Sequence, residues 1–516
     1  MRKFVPVAIL LVSISSISWG QQDEIPQKFT IDAGYGTVTM GDVQWQRFSF
    51  RPDIPIGPVG VGLDLELFID ENGKISDEAW DFSNNSRAWD SIVRKIYYIR
   101  YGKPEDKVFV RVGALDDVTL GYGIIMDGYR NTLRYPGDKK TGLNLSVRDI
   151  GTFGIGIEGM INSFGDIKNK GLVVGGRVSF RPLKPTNTGL LGKLTFGLTF
   201  VRDINQYAGL DDSDDDGVPD FQDGFPDDDK LWLDTDRDGL TDFRVSNGDT
   251  TFIDPDADGD NLTDAWWSDD QGHSGFDNDV THADPLNIKD DVDGVSVYGF
   301  DAGLPLMERP VRLDLYGQYA GIHTGRDNFD GGWGIGAPGL RLLFNRFKGQ
   351  IEYRHFEGRF RHNYFDHLYE QERAVIFNGT VVTREEQLID QTLDGIFGRA
   401  GYNFFDIARA EASYQYMTGD DSYQDLTGRA SVGTRVLERI PRISILETYY
   451  YNTFVNTSMY DLLDNTQNTM YGTRIGIEIV PSLIMVWDTR YTFTPNGRGG
   501  FDKQRFVSIE TVISLR

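Results

Sequence analysis

The 516-residue chain contains no cysteine, which excludes disulfide bonds and a cysteine-linked lipid anchor. After the first twenty residues it also has no run of about 18 consecutive apolar residues, so no transmembrane helix is predicted. Basic residues are scarce, with 52 lysines and arginines against 78 acids, and the net charge of -26 disfavours nucleic-acid binding. Such a chain must be held by its own core, by ions, or by a membrane that it crosses as strands.

The first twenty residues form a separate segment. Arg2 and Lys3 are basic, and the apolar run from Phe4 to Ile14 is too short to span a bilayer. Ser18-Trp19-Gly20 supplies small residues at the two positions that a signal peptidase reads. We therefore expect an export signal over residues 1–20, cleaved before Gln21.

Alternation of apolar and polar side chains is the main signal in the rest of the chain. From Val59 to Ile69 every odd-numbered residue is Val, Leu or Ile, whereas the even-numbered residues are mainly Gly, Asp and Glu. Successive side chains of a strand point to opposite faces, so this segment has one apolar wall and one polar wall. At least a dozen segments of about ten residues behave this way, which is the length that a tilted strand needs to cross the hydrocarbon layer.

A soluble β-sandwich would alternate as well, but its inner face would be apolar. Here the second face is rich in Arg, Glu, Asp and Gly, and the strands are longer than the usual five or six residues. Short and long polar links also alternate along the chain, as periplasmic turns and extracellular loops do. The pattern predicts an all-β fold, a transmembrane antiparallel β-barrel of about 18–20 strands with both termini in the periplasm.

This architecture resembles the large bacterial outer-membrane porins. The resemblance implies location in the bacterial outer membrane, contact with outer-membrane lipid and passage of small hydrophilic solutes, and it leaves homo-oligomerisation open. By parity, the charged residues that we expect to face the lumen are Arg111, Arg148, Arg177, Arg181, Arg312, Arg399, Arg409, Arg429, Arg435, Arg474, Arg490, Asp64, Glu66, Glu158, Asp314, Glu352, Glu411, Glu478, Asp488 and Glu510.

One long link, from Asp116 to Pro136, still carries apolar residues. It can fold into the barrel and narrow it, with Arg130 and Arg134 at the constriction, or it can form an ordinary strand pair at the rim. Patterning alone does not separate these alternatives.

The longest link, from Arg202 to Gly294, has about 28 acidic residues and about four basic ones. Its aspartates recur at alternate positions before a glycine, a spacing that lets a tight loop turn several carboxylates toward one Ca²⁺ ion. The candidate metal ligands of the three repeats are Asp212, Asp214, Asp216 and Asp220, then Asp234, Asp236, Asp238 and Asp242, then Asp254, Asp256, Asp258, Asp260 and Asp264.

These loops are not EF-hands, because the twelfth position is Val245 counted from Asp234 and Ala265 counted from Asp254. They resemble thrombospondin type 3 repeats over roughly residues 211–270, including the short FPDD spacer. The resemblance implies that the aspartates bind Ca²⁺ and that the insert folds around it. The alternative is a solvated acidic loop. Loop parity favours the extracellular side, where the insert could also bind an extracellular or envelope protein.

The sequence shows no mark of an enzyme, since no G-x-S-x-G elbow, phosphate loop or Ser–His pair stands out. We expect a signal peptide at 1–20, a first barrel part at 21–202, the calcium-binding insert at 203–293 and a second barrel part at 294–516. The predicted function is a porin-like channel for small hydrophilic solutes. The alternative is a surface adhesion or structural protein in which the barrel is only an anchor.

Overall fold

The computed structural model describes residues 30–40, 43–69, 73, 95–132, 140–167, 170–186, 188–226, 228–234, 243–246, 249–252, 267–268, 274–275, 286–308, 310–326, 330–377, 379–405, 407–419, 422–455, 469–480, 483–495 and 501–515. The predicted export signal lies outside these residues. No helix within them is long and apolar enough to cross a membrane.

The described chain is almost entirely strands and links. The strands are β1 Thr30–Met40, β2 Val43–Ile56, β3 Val59–Leu63, β4 Leu65–Ile69, β5 Ile96–Tyr101, β6 Val108–Gly113, β7 Gly142–Ile150, β8 Ile155–Ile161, β9 Val173–Phe180, β10 Thr195–Asp203, β11 Phe243–Ser246, β12 Asp249–Phe252, β13 Trp267–Ser268, β14 Ser274–Gly275, β15 Val295–Met307, β16 Val311–Thr324, β17 Gly332–Phe344, β18 Phe347–Gly358, β19 Ala374–Phe377, β20 Thr380–Thr383, β21 Leu393–Asn403, β22 Ala408–Gly419, β23 Ser422–Val432, β24 Ile443–Val455, β25 Met470–Val480, β26 Leu483–Pro495 and β27 Phe501–Leu515.

The helices are short. Helix α1 is Tyr369–Glu372 and α2 is Thr434–Leu437, and four 3₁₀ turns cover Gly165–Ile167, Lys184–Thr186, Leu191–Lys193 and Gln206–Gly209. Three small hairpins, β11–β12, β13–β14 and β19–β20, stand apart from the main sheet.

The main sheet contains 21 of the described strand segments. Apart from β3 and β4, each pairs antiparallel with the next strand of the main sheet along the chain, and β27 pairs with β1, which closes the sheet into a barrel. The segments β3 and β4 both pair with β2 and are two halves of one strand, interrupted at Asp64. The barrel therefore has one strand fewer than it has segments, an even number at the upper end of the predicted range.

The exterior of the barrel is apolar. On β10, Leu198 and Phe200 are 60% and 49% exposed, whereas Gly197 and Thr199 on the other face are buried. The same arrangement, with apolar side chains outside and polar ones inside, holds on β3 and β4. There the valines and leucines face outward, and Asp64 and Glu66 are each 1% exposed. Apolar side chains outside and charged ones inside are the arrangement of a membrane-spanning barrel, so the predicted fold class is confirmed.

The links differ in length at the two ends. Short turns join β2 to β3, β5 to β6, β7 to β8, β15 to β16, β17 to β18, β21 to β22 and β25 to β26. The opposite end carries the long links 70–95, 114–141, 204–294 and 359–392. The alternation has exceptions, since the short links 41–42 and 420–421 lie at the long-loop end and the longer links 181–194 and 433–442 lie at the short-turn end. Because successive strands run in opposite directions, the acidic insert between β10 and β15 begins and ends at the long-loop end.

Glycines on the inward face let large side chains lie flat against the wall. Gly339 is the register partner of Tyr316, and a β-carbon there would sit 2.3 Å from the Tyr316 ring. Gly197 is the partner of Asp301, and a β-carbon there would sit 2.4 Å from both Arg177 Nη2 and Asp301 Oδ2. Such contacts bring the inward side chains close enough to the wall for a loop to pack over them.

Candidate channel lumen and calcium site

Residues 114–132 of the link between β6 and β7 lie inside the barrel. We call them the inward loop. The backbone N–H of Ile124 donates to Gln318 Oε1 on β16 at 3.1 Å, and the Tyr122 ring stacks on Tyr316 with centroids 4.3 Å apart. These contacts join the loop to inward side chains, so the first of the two alternatives predicted for this link is the observed one.

A buried apolar cluster fills the space behind the inward loop. Leu115, Ile125, Met126 and Tyr129 are at most 2% exposed. They belong to one cluster with wall residues of β9, β10, β15 and β16, namely Val173, Val201, Val295, Val297, Ala320 and Ile322. The inward face of the barrel is thus apolar where the loop packs, although it is polar elsewhere. Burial of this apolar surface holds the loop in place.

The link between β18 and β21, residues 359–392, packs on the inward loop. We call it the outer loop. Asn363 and Phe365 donate from their backbone N–H groups to the carbonyls of Ile124 and Ile125 at 2.8 and 3.1 Å. Tyr364, Phe365 and Tyr369 are 0% exposed and complete the same apolar cluster. The two loops together form a compact body inside one end of the barrel.

Buried charges join these loops to the wall. Arg373 is 0% exposed, and its Nη2 donates to Asp203 Oδ1 at 2.8 Å, while the Tyr369 hydroxyl donates to Asp203 Oδ2 at 2.7 Å. Glu370 accepts from the Tyr129 hydroxyl and, at 2.8 Å, from Lys140 Nζ. Burial alone would raise the pKa of Glu370, but Lys140 and Arg373 hold it at about 2. Asp203 and Glu370 thus each lie beside a cation, Arg373 or Lys140, although Nε and Nη1 of Arg373 have no hydrogen-bond partner within the described residues. Such buried pairing favours one fixed arrangement of the loops.

The inward face divides into two parts. We call β9, β10, β15–β18 and β21 the covered wall, because its inward charges lie beneath the loops: Arg177, Asp301, Glu352 and Arg354 are at most 8% exposed. We call β22–β26 the bare wall, because its inward charges are only partly buried: Glu411, Arg429, Glu447, Arg474, Asp488 and Arg490. The inward charges of the bare wall therefore keep more contact with solvent than those of the covered wall.

Most of the inward charges predicted by parity lie on barrel strands. Arg181 and Arg435 do not, because β9 ends at Phe180 and β23 ends at Val432; Arg435 belongs to α2. Arg130, a predicted constriction residue, lies in the inward loop and is 6% exposed, so it is largely covered. Arg134 lies outside the described residues. Asp127 is a further loop residue that accepts from a wall arginine, Arg399 Nη2, at 3.0 Å.

The first predicted calcium loop brings three carboxylates together. Oxygens of Asp212, Asp214 and Asp216 lie within 4.8 Å of one another. The backbone N–H groups of Asp216 and Gly217 donate to the Asp212 carboxylate at 3.1 and 3.0 Å, which fixes the turn. Gly217 has a φ of +108°, a conformation that a residue with a β-carbon rarely adopts. The glycine in the repeat is thus required by the turn that gathers the aspartates.

A further acidic residue, Asp223, is not one of the three grouped carboxylates but interacts electrostatically with Asp214 and Asp216. Its side chain is 8% exposed, its Oδ1 accepts from Phe225 N at 2.8 Å, and its Oδ2 has no hydrogen-bond partner within the described residues. Oδ2 of Asp214 is likewise buried without a partner there. Burial and the nearby charges of Asp216 and Asp214 raise the pKa of Asp223 to about 6. Two buried carboxylate oxygens that lack hydrogen-bond partners and lie among like charges would be stabilised by a bound cation.

The signal for Asp223 was in the sequence, since it is the twelfth residue counted from Asp212. That position was tested only in the second and third repeats. Asp220, a predicted ligand, accepts instead from Ser213 N and Oγ at 2.7 and 2.8 Å and is not part of the three-carboxylate group. Asp234 lies beside Gly224, the residue after Asp223. The remaining predicted ligands lie outside the described residues: Asp236, Asp238, Asp242, Asp254, Asp256, Asp258, Asp260 and Asp264.

No protein-family model and no curated protein matches the chain. Among solved structures, it is similar to Wzi, an outer-membrane protein involved in group 1 capsule assembly in Escherichia coli and described as a carbohydrate-binding β-barrel, with 13% identity, a TM-score of 0.33 and coverage of 94% of this chain and 84% of that one. The FrpB iron transporter from Neisseria meningitidis shows 8% identity, a TM-score of 0.37 and coverage of 95% and 75%. The outer-membrane protein OpdK from Pseudomonas aeruginosa shows 8% identity, a TM-score of 0.34 and coverage of 94% and 97%.

The placement in the bacterial outer membrane rests on the chain itself. The closed strand pairing leaves no open sheet edge between β1 and β27 at the short-turn end, and the apolar exterior suits lipid. The predicted location is consistent with both features.

Proposed function

We propose that the protein is a channel for small hydrophilic solutes across the bacterial outer membrane, narrowed by the inward and outer loops. The observation that carries this proposal is the bare wall. Its inward charges remain accessible, whereas those of the covered wall are buried beneath the loops. A body that served only to fill the barrel would cover both walls.

The bare wall favours weak selectivity. Arg429 is paired with Glu447, and the register places Arg474 opposite both Glu447 and Asp488. Opposite charges on neighbouring strands cancel much of each other's field in the lumen. Small polar solutes of either charge are therefore expected to pass, with size set by the loops.

We also propose that the insert binds Ca²⁺ through Asp212, Asp214, Asp216 and Asp223. The support is the group of three carboxylates together with the buried oxygens of Asp214 and Asp223 that lack partners within the described residues. Ca²⁺ takes six to eight oxygen ligands, which backbone carbonyls and water can complete. At the long-loop end the site would face the outside of the cell, where millimolar Ca²⁺ is sufficient even for a weak site.

Planar-bilayer recording of the purified protein tests the channel. We expect steady ohmic steps in symmetrical salt. A barrel that serves only as an anchor for a surface protein would give no steady channel, and that result would overturn the proposal in favour of the alternative.

Calorimetric titration of the full-length protein with Ca²⁺ tests the metal site. We expect the double variant Asp214→Asn/Asp223→Asn to lose one binding event, while Asp290→Asn, a matched loss of charge in the same insert, retains it. Retention of every binding event in the double variant would exclude this ligand set.

A further inference from the structure

We infer that Ca²⁺ in the first acidic loop holds the inward and outer loops in place, so that the ion sets the conductance of the channel. This inference rests on the proposed channel and on the proposed calcium site. The insert would then regulate the channel. The basis is a continuous set of contacts from the three grouped carboxylates to the inward and outer loops inside the barrel.

The first contacts join the acidic loop to the segment through which the chain returns to the barrel, residues 286–294. Ile288 N donates to the carbonyl of Gly217 at 2.8 Å, and Leu286 N donates to Gln222 Oε1 at 3.0 Å. Lys289 Nζ lies 3.5 Å from Asp215 Oδ1. Gly217 directly follows Asp216, so the position of this carbonyl depends on how the carboxylates are arranged.

The next contacts join the returning segment to the start of the insert. Asn205 is 0% exposed; its Nδ2 donates to the carbonyl of Ile288 at 2.7 Å, and its Oδ1 accepts from Asp293 N at 3.2 Å. Gln206 N donates to the carbonyl of Asp293 at 2.7 Å. Asn205 therefore bridges the two ends of the insert with both polar atoms of its amide.

The last contacts reach the outer loop. Arg373 Nη2 donates to the carbonyl of Asn205 at 2.9 Å, and the Tyr364 hydroxyl donates to Gln206 Oε1 at 3.0 Å. Gly209 lies so close to Arg373 that a β-carbon there would sit 2.3 Å from Arg373 Cγ. Arg373 and its neighbour Glu370 belong to the buried network that also holds Tyr129 of the inward loop.

The direction of the effect follows from charge. Without a cation, the carboxylates of Asp212, Asp214 and Asp216, whose oxygens lie within 4.8 Å of one another, repel one another. The buried Oδ2 atoms of Asp214 and Asp223 also have no hydrogen-bond partner within the described residues. The loop can relieve this repulsion by opening, which would break the contact between Gly217 and Ile288. Looser ends of the insert would then release the outer loop from Asn205 and Gln206. Removal of Ca²⁺ should therefore widen the lumen.

Single-channel recording of the full-length protein tests this inference. The bilayer is made of neutral lipid, Mg²⁺ is held constant, and Ca²⁺ is either millimolar or removed by a chelator. We expect the conductance of the wild-type channel to rise by roughly two-fold on chelation, as the loops withdraw from the lumen. The double variant Asp214→Asn/Asp223→Asn should show the chelated level in both conditions, and Asp290→Asn should behave as wild type.

The variant Asn205→Ala tests whether the effect of Ca²⁺ on the loops can be removed without removing Ca²⁺ binding. It leaves all four carboxylates in place but removes the amide that bridges the two ends of the insert. We expect it to bind Ca²⁺ in calorimetry and to lose the response of the conductance to Ca²⁺. Hydrogen exchange of residues 114–132 and 359–392 supplies a readout that does not need an open channel, and protection of both loops should fall on chelation in the wild type only.

The outcomes distinguish the failures. Calcium binding with unchanged conductance and unchanged exchange protection would overturn the coupling and leave the calcium site standing. Absence of calcium binding would overturn both, while steady conductance would still support the channel. Changed protection in a protein that never conducts would retain the coupling and overturn the channel.

Discussion

The covered and bare walls are built from the same kind of strand but have different surroundings. Arg177 on the covered wall donates from Nε and Nη2 to both oxygens of Asp301 at 2.8 and 2.7 Å, and the Arg177 side chain is 9% exposed. Arg429 on the bare wall pairs with Glu447, and its side chain is 26% exposed. The difference comes from the inward and outer loops, which cover the charges of the covered wall, whereas on the bare wall they reach Met417 and Tyr423 but leave Arg429 partly exposed. A polar barrel face can thus be part structural core and part channel surface.

Removal of the inward loop should have the largest effect on this difference. Replacement of residues 119–128 by a short Gly-Ser linker would expose the covered wall to water and widen the lumen. We expect single-channel conductance to rise by roughly two-fold or more, because the loop occupies space inside the barrel. Shortening the exposed turn at residues 188–192, at the opposite end, serves as the control and should leave conductance unchanged. Equal conductance of the two variants would show that the inward loop does not limit the pore.

Breaking one ion pair on each wall should lower the free energy of unfolding by different amounts for the two walls. Arg177→Met leaves Asp301 buried without its partner, and we expect a loss of about 3–5 kcal/mol in the free energy of unfolding. Arg429→Met removes a partly exposed pair and should cost about 1 kcal/mol or less. Denaturant unfolding in detergent micelles measures both. Similar losses for the two variants would contradict the division into covered and bare walls.

A rise in pH should loosen the outer loop. Glu385 is 0% exposed, and its Oε1 lies 3.4 Å from Arg326 Nε. Burial and the adjacent charge of Asp293 raise the pKa of Glu385 to about 8. The folded protein then binds a proton that the unfolded chain has released, so stability should fall as pH rises from about 4.5 to about 8. The melting temperature between pH 6 and pH 9 measures this.

The matched variant for that pH dependence is Glu385→Gln, which keeps a neutral side chain of the same shape at every pH. We expect its melting temperature to change less between pH 6 and pH 9 than that of the wild type. The same slope in both proteins would assign the pH dependence to another group.

The smallest expected effect concerns ion selectivity. Arg474→Gln removes a positive charge from the bare wall, and the reversal potential in a salt gradient should shift by a few millivolts toward cation preference. Arg177→Gln removes a positive charge from the covered wall and should cause no shift, because ions do not reach that position. A shift of the reversal potential in Arg177→Gln alone would show that ions pass along the covered wall instead of the bare wall.

Several parts of the fold and site could be predicted from local patterns. The interrupted strand formed by Val59–Leu63 and Leu65–Ile69 follows from alternation, since period 2 is a property of adjacent residues. The same rule failed for Arg435, because parity was continued past the end of β23 into a helical turn. Asp223 was missed although its spacing from Asp212 is regular, since the twelfth position had been examined only where it carries Val245 and Ala265.

The position of the inward loop could not be predicted in this way. Asp127 contacts Arg399, which follows it by 272 residues, and Ile124 contacts Gln318, which follows it by 194 residues. No local pattern in the loop specifies such partners, so the sequence alone left a constriction and a rim hairpin equally open. The burial of Arg177 and Asp301 depends on the same contacts and was equally unpredictable.

The amino-acid sequence by itself determined that the chain forms a closed antiparallel barrel with an apolar exterior and an acidic insert at the long-loop end. These features depend on side-chain alternation and on link length, which are written into neighbouring residues. Only the tertiary structure decided which inward charges are buried, which remain along the lumen, and how the acidic loop connects to the body inside the barrel. Burial depends on which distant segments occupy the same volume, and the closed barrel brings the inward loop, the outer loop and both ends of the insert into that volume.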